Sequence, residues 1–311
     1  MFKPVSVVPP TLAATPTNEV FAPWVSLNKW GRRHGFGAAK QLSTDSPIFA
    51  LSSANSVLVV EAGARSACWD GLEFQLGFAP RVVGDELLVH ALDVQKNFEP
   101  LLSLSERIAH SGSVIVIDAG HGGSDAGAKC AFNGRCEKEL TLDWARRLTP
   151  LLAQRGWRVF LTRSNDVEVA LADRVAFADR CRADVFLSLH FNSSGGGREQ
   201  AGVETCCLTP AGMPSNLTRG YSDDATLVFP NNAFDAENFQ YAIRLHRALL
   251  EANGGLDRGV RRARFLGVLR GQQRPAVLLE GGYLSNPKEA RQIADPAHRQ
   301  KLAEAVARAL E

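Results

Sequence analysis

Several absences bound this 311-residue chain before any motif is read. No stretch approaches the roughly 18 consecutive apolar residues that a membrane-spanning helix needs. The start, Met1-Phe2-Lys3-Pro4 onward, interrupts its apolar residues with Pro4, Pro9, Pro10 and Pro16 and presents no continuous apolar core of a secretory signal. A surplus of either charge is also missing. Lys and Arg number 35 against 33 Asp and Glu, a net +2, so nothing points to nucleic acid as a partner. None of the 6 cysteines (Cys68, Cys130, Cys136, Cys181, Cys206, Cys207) stands in a C-x-x-C pair, which argues against a thiolate zinc cluster. They read as buried or incidental free thiols, although Cys130 and Cys136 bracket a short Gly-containing loop that a disulfide would close in an oxidising compartment.

What remains is an ordinary globular composition, 45% hydrophobic and 22% charged, over a length that suits two domains or one large one. Residues 1–22 read as a flexible leader. Residues 23–104 form a short, β-rich pattern. Strands are expected at 48–51, 57–61 and 86–89 between Gly, Asn, Ser and Asp, and amphipathic helices at 24–34 and 92–104. His34 and His90 are isolated there and read as structural or exposed. On Phe78-Ala79-Pro80, Glu86-Leu87-Leu88-Val89 and residues 98–102, this region loosely resembles the small N-terminal module named after copper amine oxidases. Residues 105–112 serve as a linker.

From Ser113 strand-like runs alternate with helical ones. Strands are expected at 114–117, 157–162, 184–190, 202–208 and 276–280, and helices at 137–155, 171–182, 237–253 and 297–310. This alternation predicts an α/β fold, an open and mostly parallel sheet with helices on both faces, preceded by the small β-rich α+β domain. Pro150 is expected to kink or end the helix at 137–155. Residues 209–235 are long, aperiodic and rich in Pro, Asn, Gly and Asp, a loop expected to flank the substrate groove or to be a variable insertion.

The chemistry concentrates at strand ends. The apolar run 114–117 enters Asp118-Ala119-Gly120-His121-Gly122-Gly123-Ser124-Asp125-Ala126-Gly127, whose glycines strip bulk from around His121. His190 ends one strand and Glu280 another, while Glu137 opens the first helix. Carboxyl ends of parallel strands share one edge, where ligands bind. Two imidazoles and two carboxylates meeting there have the composition of a catalytic zinc site. Such a site needs three protein ligands, an open position for a water whose pKa falls to about 7, and a separate carboxylate to move its proton.

The ordered motifs resemble one family: residues 118–128, Glu137-Lys138-Glu139-Leu140, Thr162-Arg163 with Arg174, Ser188-Leu189-His190-Phe191-Asn192, Arg258-Gly259-Val260, residues 275–280, Gly282, and Leu284-Ser285-Asn286. That family is the zinc-dependent N-acetylmuramoyl-L-alanine amidases of bacterial cell-wall turnover, and the resemblance covers about residues 113–310. It implies that His121, Glu137 and His190 hold Zn2+ and that Glu280 is the catalytic base and acid. Glu139 competes with Glu137, but the family's ligand matches the first glutamate. Asp118, Asn192 and Arg258 are candidates for supporting the ligands or touching substrate. Asp125 reads as a turn cap, and Arg163 and Arg174 as structural ion pairs. The implied substrate is peptidoglycan, cleaved between N-acetylmuramic acid and L-alanine, which sets the protein in the cell envelope, periplasmic or extracellular; a regulatory partner is left open. A zinc peptidase or deacetylase acting on another amide, and a wall-binding or regulatory protein with a degenerate fold, are the alternatives. Ala119 and Ala126 stand where the family usually has Pro, and the Cys130–Cys136 stretch is unusual for it.

Overall fold

The computed structural model describes residues 23–43, 46–104 and 112–311. The expected leader and all but the last residue of the expected linker lie outside them.

The first described segment is β1 (Trp24–Ser26), α1 (Leu27–Arg33), β2 (Lys40–Ser43), β3 (Ser46–Ser52), β4 (Val57–Glu61), β5 (Ser66–Trp69), β6 (Leu72–Gln75), β7 (Arg81–Val83) and β8 (Glu86–His90). It closes with α2 (Ala91–Asp93) and α3 (Glu99–Leu102), joined by a π-helical turn over Val94–Phe98. Residues 24–34 are thus not one helix. Trp24 and Val25 pair with β8 as a strand, and the Ser26 hydroxyl accepts the Lys29 N–H to cap α1. The β5–β6 hairpin turns on Asp70-Gly71, both at positive φ (50° and 81°), a two-residue reversal that Asp-Gly favours.

The second segment runs β9 (Val114–Ala119), α4 (Glu137–Gln154), β10 (Arg158–Leu161), α5 (Leu171–Arg180), β11 (Val185–Asn192), β12 (Val203–Cys207), α6 (Asp235–Asn253), β13 (Asp257–Arg262), α7 (Gly267–Arg270), β14 (Ala276–Tyr283), α8 (Pro287–Ala294) and α9 (Pro296–Ala309). Pro150 does not end α4, which continues for one more turn to Gln154.

One 11-stranded sheet holds both segments, in the order β10-β9-β11-β14-β12-β13-β6-β5-β4-β3-β2, while β1, β8 and β7 form a separate three-stranded sheet. From β10 to β14 the pairs are parallel. β12 runs antiparallel to β14 and parallel to β13, and β13 meets β6 in parallel through Val260 and Phe74.

The period-2 alternation of strands splits the core. Ile115, Ile117, Leu187, Leu189, Val277 and Leu279 pack with α4, α6 and α9 on one face. Val116, Phe186, Ala276 and Leu278 pack with Val268 and Leu269 of α7 and Ala178 of α5 on the other. The first face continues without a break into Phe74, Phe98, Trp30 and Trp69 of the N-terminal segment. Helices therefore cover both sides of a mixed sheet whose strands from β10 to β13 are mostly parallel, and a small β-rich part precedes them.

Candidate metal centre

The loop between β9 and α4 begins where Asp118 ends the apolar run. Asp118 is buried and fully engaged: its Oδ1 accepts from Thr162 Oγ1 (2.6 Å) and Arg174 Nη1 (2.6 Å), and its Oδ2 from the Ser188 hydroxyl (2.8 Å). Asp118 and Arg174 are therefore a buried ion pair that ties β9 to α5 and β11. Arg163 is structural in a different way from the ion pair expected of it. Its guanidinium donates to the carbonyls of Ala119, Gly120, Lys138 and Asn165, with no carboxylate in its fork.

These bonds fix the backbone on which His121 stands in the left-handed region, at φ 63°, which a non-glycine residue adopts only when its surroundings impose it. The glycines beside it make room for particular groups. A Cβ on Gly120 would run into the His190 ring, and one on Gly127 would meet the His121 ring at 2.7 Å and Glu137 Oε2 at 2.8 Å.

Three side chains converge in the space so cleared. His121 Nε2 lies 3.1 Å from Glu137 Oε2, and His190 Nδ1 lies 3.0 Å from Glu137 Oε1. One ligand atom from each of the three lies within 4.8 Å of the others, so they could hold a metal ion. Glu137 is 4% exposed, and its carboxylate also accepts the backbone N–H groups of Ala128 (3.0 Å) and Phe191 (3.1 Å). Burial alone would raise its pKa, but hydrogen bonds and charge from the two histidines outweigh that and hold it well below the usual carboxylate range. For His121 burial pulls downward, and the acids Glu137 and Asp125 overcome it and raise the pKa.

The Asp125 carboxylate does more than cap a turn. While Oδ1 accepts the Gly127 N–H (3.1 Å), Oδ2 lies 2.9 Å from His121 Nδ1, leaving Nε2 to face Glu137. Glu139, the competing carboxylate, points away. It pairs with Arg135 (3.0 Å) and accepts the Cys136 N–H in a reciprocal cap of α4. Cys130 and Cys136 are free thiols in the structure, and neither belongs to the His/Glu/His group.

Both strand-borne residues sit deeper in their strands than expected. β11 continues to Asn192 and β14 to Tyr283, and His190 and Glu280 are direct partners in the parallel register. Glu280 is buried, and its Oε2 has no hydrogen-bond partner. Burial, then the charges of Glu137 and Glu204, push its pKa well above the usual range, with Arg219 opposing. Asn192 is buried, and its side-chain oxygen accepts the next N–H, from Ser193 (2.8 Å). Arg258 lies over the Tyr283 ring (5.0 Å) with Nε 3.6 Å from Glu204 Oε2.

Glu204 was missed in the sequence. It is 3% exposed and stands directly across from Glu280 in the antiparallel β12–β14 pair. A carboxylate inside the otherwise uncharged Val203-Glu204-Thr205-Cys206-Cys207 was the available signal. A cleft of about 260 Å³ opens beside His121 and His190, bounded by Asp125, Glu168, Leu171 and Val268.

The family of the chain emerges from comparison with known proteins. A family model described as N-acetylmuramoyl-L-alanine amidase matches residues 115–311. The chain is 29% identical over 273 residues to the N-acetylmuramoyl-L-alanine amidase AmiC of Escherichia coli O6:H1, covering 74% of this chain and 64% of that protein. It is 34% identical to a sporulation-specific N-acetylmuramoyl-L-alanine amidase of Bacillus subtilis, covering 63% and 66%. These matches span about two thirds of the relatives' own lengths. Among solved structures, the catalytic domain of CwlV from Bacillus (Paenibacillus) polymyxa var. colistinus superposes at a TM-score of 0.52 with 34% identity, over 64% of this chain and 96% of that one. AmiC2 of Nostoc punctiforme gives 0.53 and 30%, over 65% and 97%. With a family model matching residues 115–311 and a sheet that superposes on solved amidases, this chain belongs to the N-acetylmuramoyl-L-alanine amidase family.

Proposed function

We propose that the protein hydrolyses the amide between N-acetylmuramic acid and L-alanine in peptidoglycan, using zinc held by His121, Glu137 and His190, with Glu280 as proton carrier. The observation that carries this reading is a group of three ligand-type side chains beside a buried glutamate, in register with one of them, whose Oε2 has no hydrogen-bond partner. The donor set suits zinc: two imidazoles and one carboxylate, no thiolate, in space kept open by Gly120 and Gly127. Zinc bound there supplies a Lewis acid for the scissile carbonyl and lowers the pKa of an attacking water.

The chain's own residues do the rest. Asp125 holds the Nδ1 side of His121, so that Nε2 is the nitrogen offered to the cluster. Ala128 and Phe191 fix the Glu137 carboxylate through their N–H groups. Glu280 takes a proton from the attacking water and passes it to the departing alanine nitrogen. Burial and the charges of Glu137 and Glu204 raise its proton affinity, which suits a group that must both accept and return a proton, and a nearby cation would draw that affinity back toward neutrality. A peptidoglycan substrate sets this work in the cell envelope, outside the cytoplasmic membrane. No helix among the described residues is long and apolar enough to cross a membrane.

Glu280→Gln tests the reading. The isosteric amide keeps the shape and removes the proton step, so cleavage should fall by about 10²–10⁴-fold with metal content unchanged. Zinc is read by elemental analysis and cleavage by mass spectrometry of digested peptidoglycan, where intact stem peptides with a free L-alanine amine are expected. Full activity in the variant rejects Glu280, and cuts elsewhere in the polymer reject the amide assignment.

A further inference from the structure

The cleft beside His121 and His190 has one apolar wall. Val169, Ala170 and Leu171, from the turn into α5, line it together with Val268 of α7. Apart from Gly122, the rest of the lining is charged or titratable side chains. Val268 belongs to the core, whereas Leu171 is 56% exposed and lies outside the core on both faces of the sheet. Leu171 leans on the start of α7, where a Cβ on Gly267 would meet its Cδ1 at 2.9 Å.

This wall is fixed to the loop that carries His121. Arg174 donates from Nε to the Val169 carbonyl (3.0 Å) and from Nη2 to the His121 carbonyl (2.9 Å), so one buried guanidinium holds both. The Gly123 N–H donates to Asp166 Oδ1 (2.8 Å), and Gly122 has no room for a Cβ against the Val167 carbonyl. The wall and the ligand loop therefore keep a set separation. A rigid apolar surface held at a set place beside the reacting centre discriminates by shape.

The amide assigned above to the cut is flanked by two methyl groups, that of the lactyl group on the acyl side and that of L-alanine on the amine side. We infer that Leu171 is a specificity residue whose side chain packs on a methyl group next to the cut amide, favouring a substrate that carries one over a substrate with hydrogen in its place. This rests on the peptidoglycan reading above. The contact is apolar and non-directional, so it selects among substrates without moving a proton.

The test uses the full-length zinc-loaded protein and three soluble muropeptides: the parent, one with glycine in place of L-alanine, and one with a glycolyl in place of the lactyl group. In kcat/KM the wild type should prefer the parent over at least one analogue, and Leu171→Ala should shrink that preference about fourfold, the worth of one buried methyl group. Leu171→Met, apolar and of similar volume, should keep most of it. A preference lost against the glycine analogue identifies the alanine methyl as the one touched, and a preference lost against the glycolyl analogue identifies the lactyl methyl. Leu171 lies outside the core, so the alanine variant should fold and carry the same zinc by elemental analysis. An equal drop on all three muropeptides, an unchanged preference, or a wild type without one overturns the inference and leaves the amidase reading intact. Failure of the wild type to cleave the parent overturns that reading and the inference with it.

Discussion

His121 shows how much support one candidate ligand draws from its surroundings. Its backbone stands in the left-handed region, its ring is pinned by Asp125 on one nitrogen, and it meets Glu137 on the other. Asp125 is more than half exposed, so removing it leaves the core untouched. Asp125→Ala should weaken zinc binding about 10–100-fold, the usual effect of losing the partner that orients a ligating histidine. Competition against a chromophoric chelator measures this, and an unchanged affinity would return Asp125 to the role of a turn cap. At this scale the sequence was informative about the cluster: His121, Glu137 and His190 were legible from Gly spacing, helix start and strand end. Glu204 escaped because strand pairing decides which residue faces Glu280, and β12 joins β14 antiparallel among strands whose other pairs, from β10 to β6, are parallel. Arg163 and Asp125 were read by type, and their roles depend on carbonyls and imidazole nitrogens that only the folded loop supplies.

At the scale of elements, strongly periodic segments were readable and terse ones were not. The helices at 137–155 and 237–253 appear within two residues of expectation as Glu137–Gln154 and Asp235–Asn253. β13 escaped because Asp257-Arg258-Gly259-Val260-Arg261-Arg262 is mostly charged, although it is the central strand of the sheet. Its arginines are accommodated individually: Arg262 donates to the Lys96 carbonyl and Asn97 Oδ1 and lies over Phe239. The Asp70-Gly71 hairpin was legible and unread. The 209–235 segment, expected as a loop, is irregular as far as residue 229 and then enters a 3-10 turn, Pro230–Phe234, that leads into α6; the Asp223–Arg264 pair braces the irregular part, and Arg264 also donates to the Pro210 carbonyl (2.8 Å). Asp223→Ala would leave a guanidinium buried without its acid, a change that costs about 3 kcal/mol. Chemical denaturation would register the loss, and a stability within 0.5 kcal/mol of wild type, the range of an ordinary surface substitution, would show that the carbonyls around Arg264 suffice.

At the scale of the whole molecule, the two segments are mechanically one along the β6–β13 seam. Phe74 is fully buried there, edge-on to Phe239 of α6 (5.6 Å) and to Phe98 of the π-helical turn (6.4 Å). Phe74→Ala should cost about 3–5 kcal/mol. Because the core crosses the seam, the loss should appear as a lower midpoint of a single calorimetric transition. Two separated transitions, with only the first moved, would show that the segments unfold independently. Composition contained no trace of this seam, since a single cross-strand pair between residues far apart in the chain leaves no periodicity behind.

That seam also sets an order of events during synthesis. β6 leaves the ribosome about 180 residues before its partner β13. At the usual translation rate of about 5–20 residues per second, its outer edge waits roughly ten to forty seconds for that neighbour. An open strand edge is a template for wrong pairing. The nascent N-terminal segment therefore passes through a period of exposure, and the yield of folded protein should respond to elongation rate and to chaperones that cover strand edges.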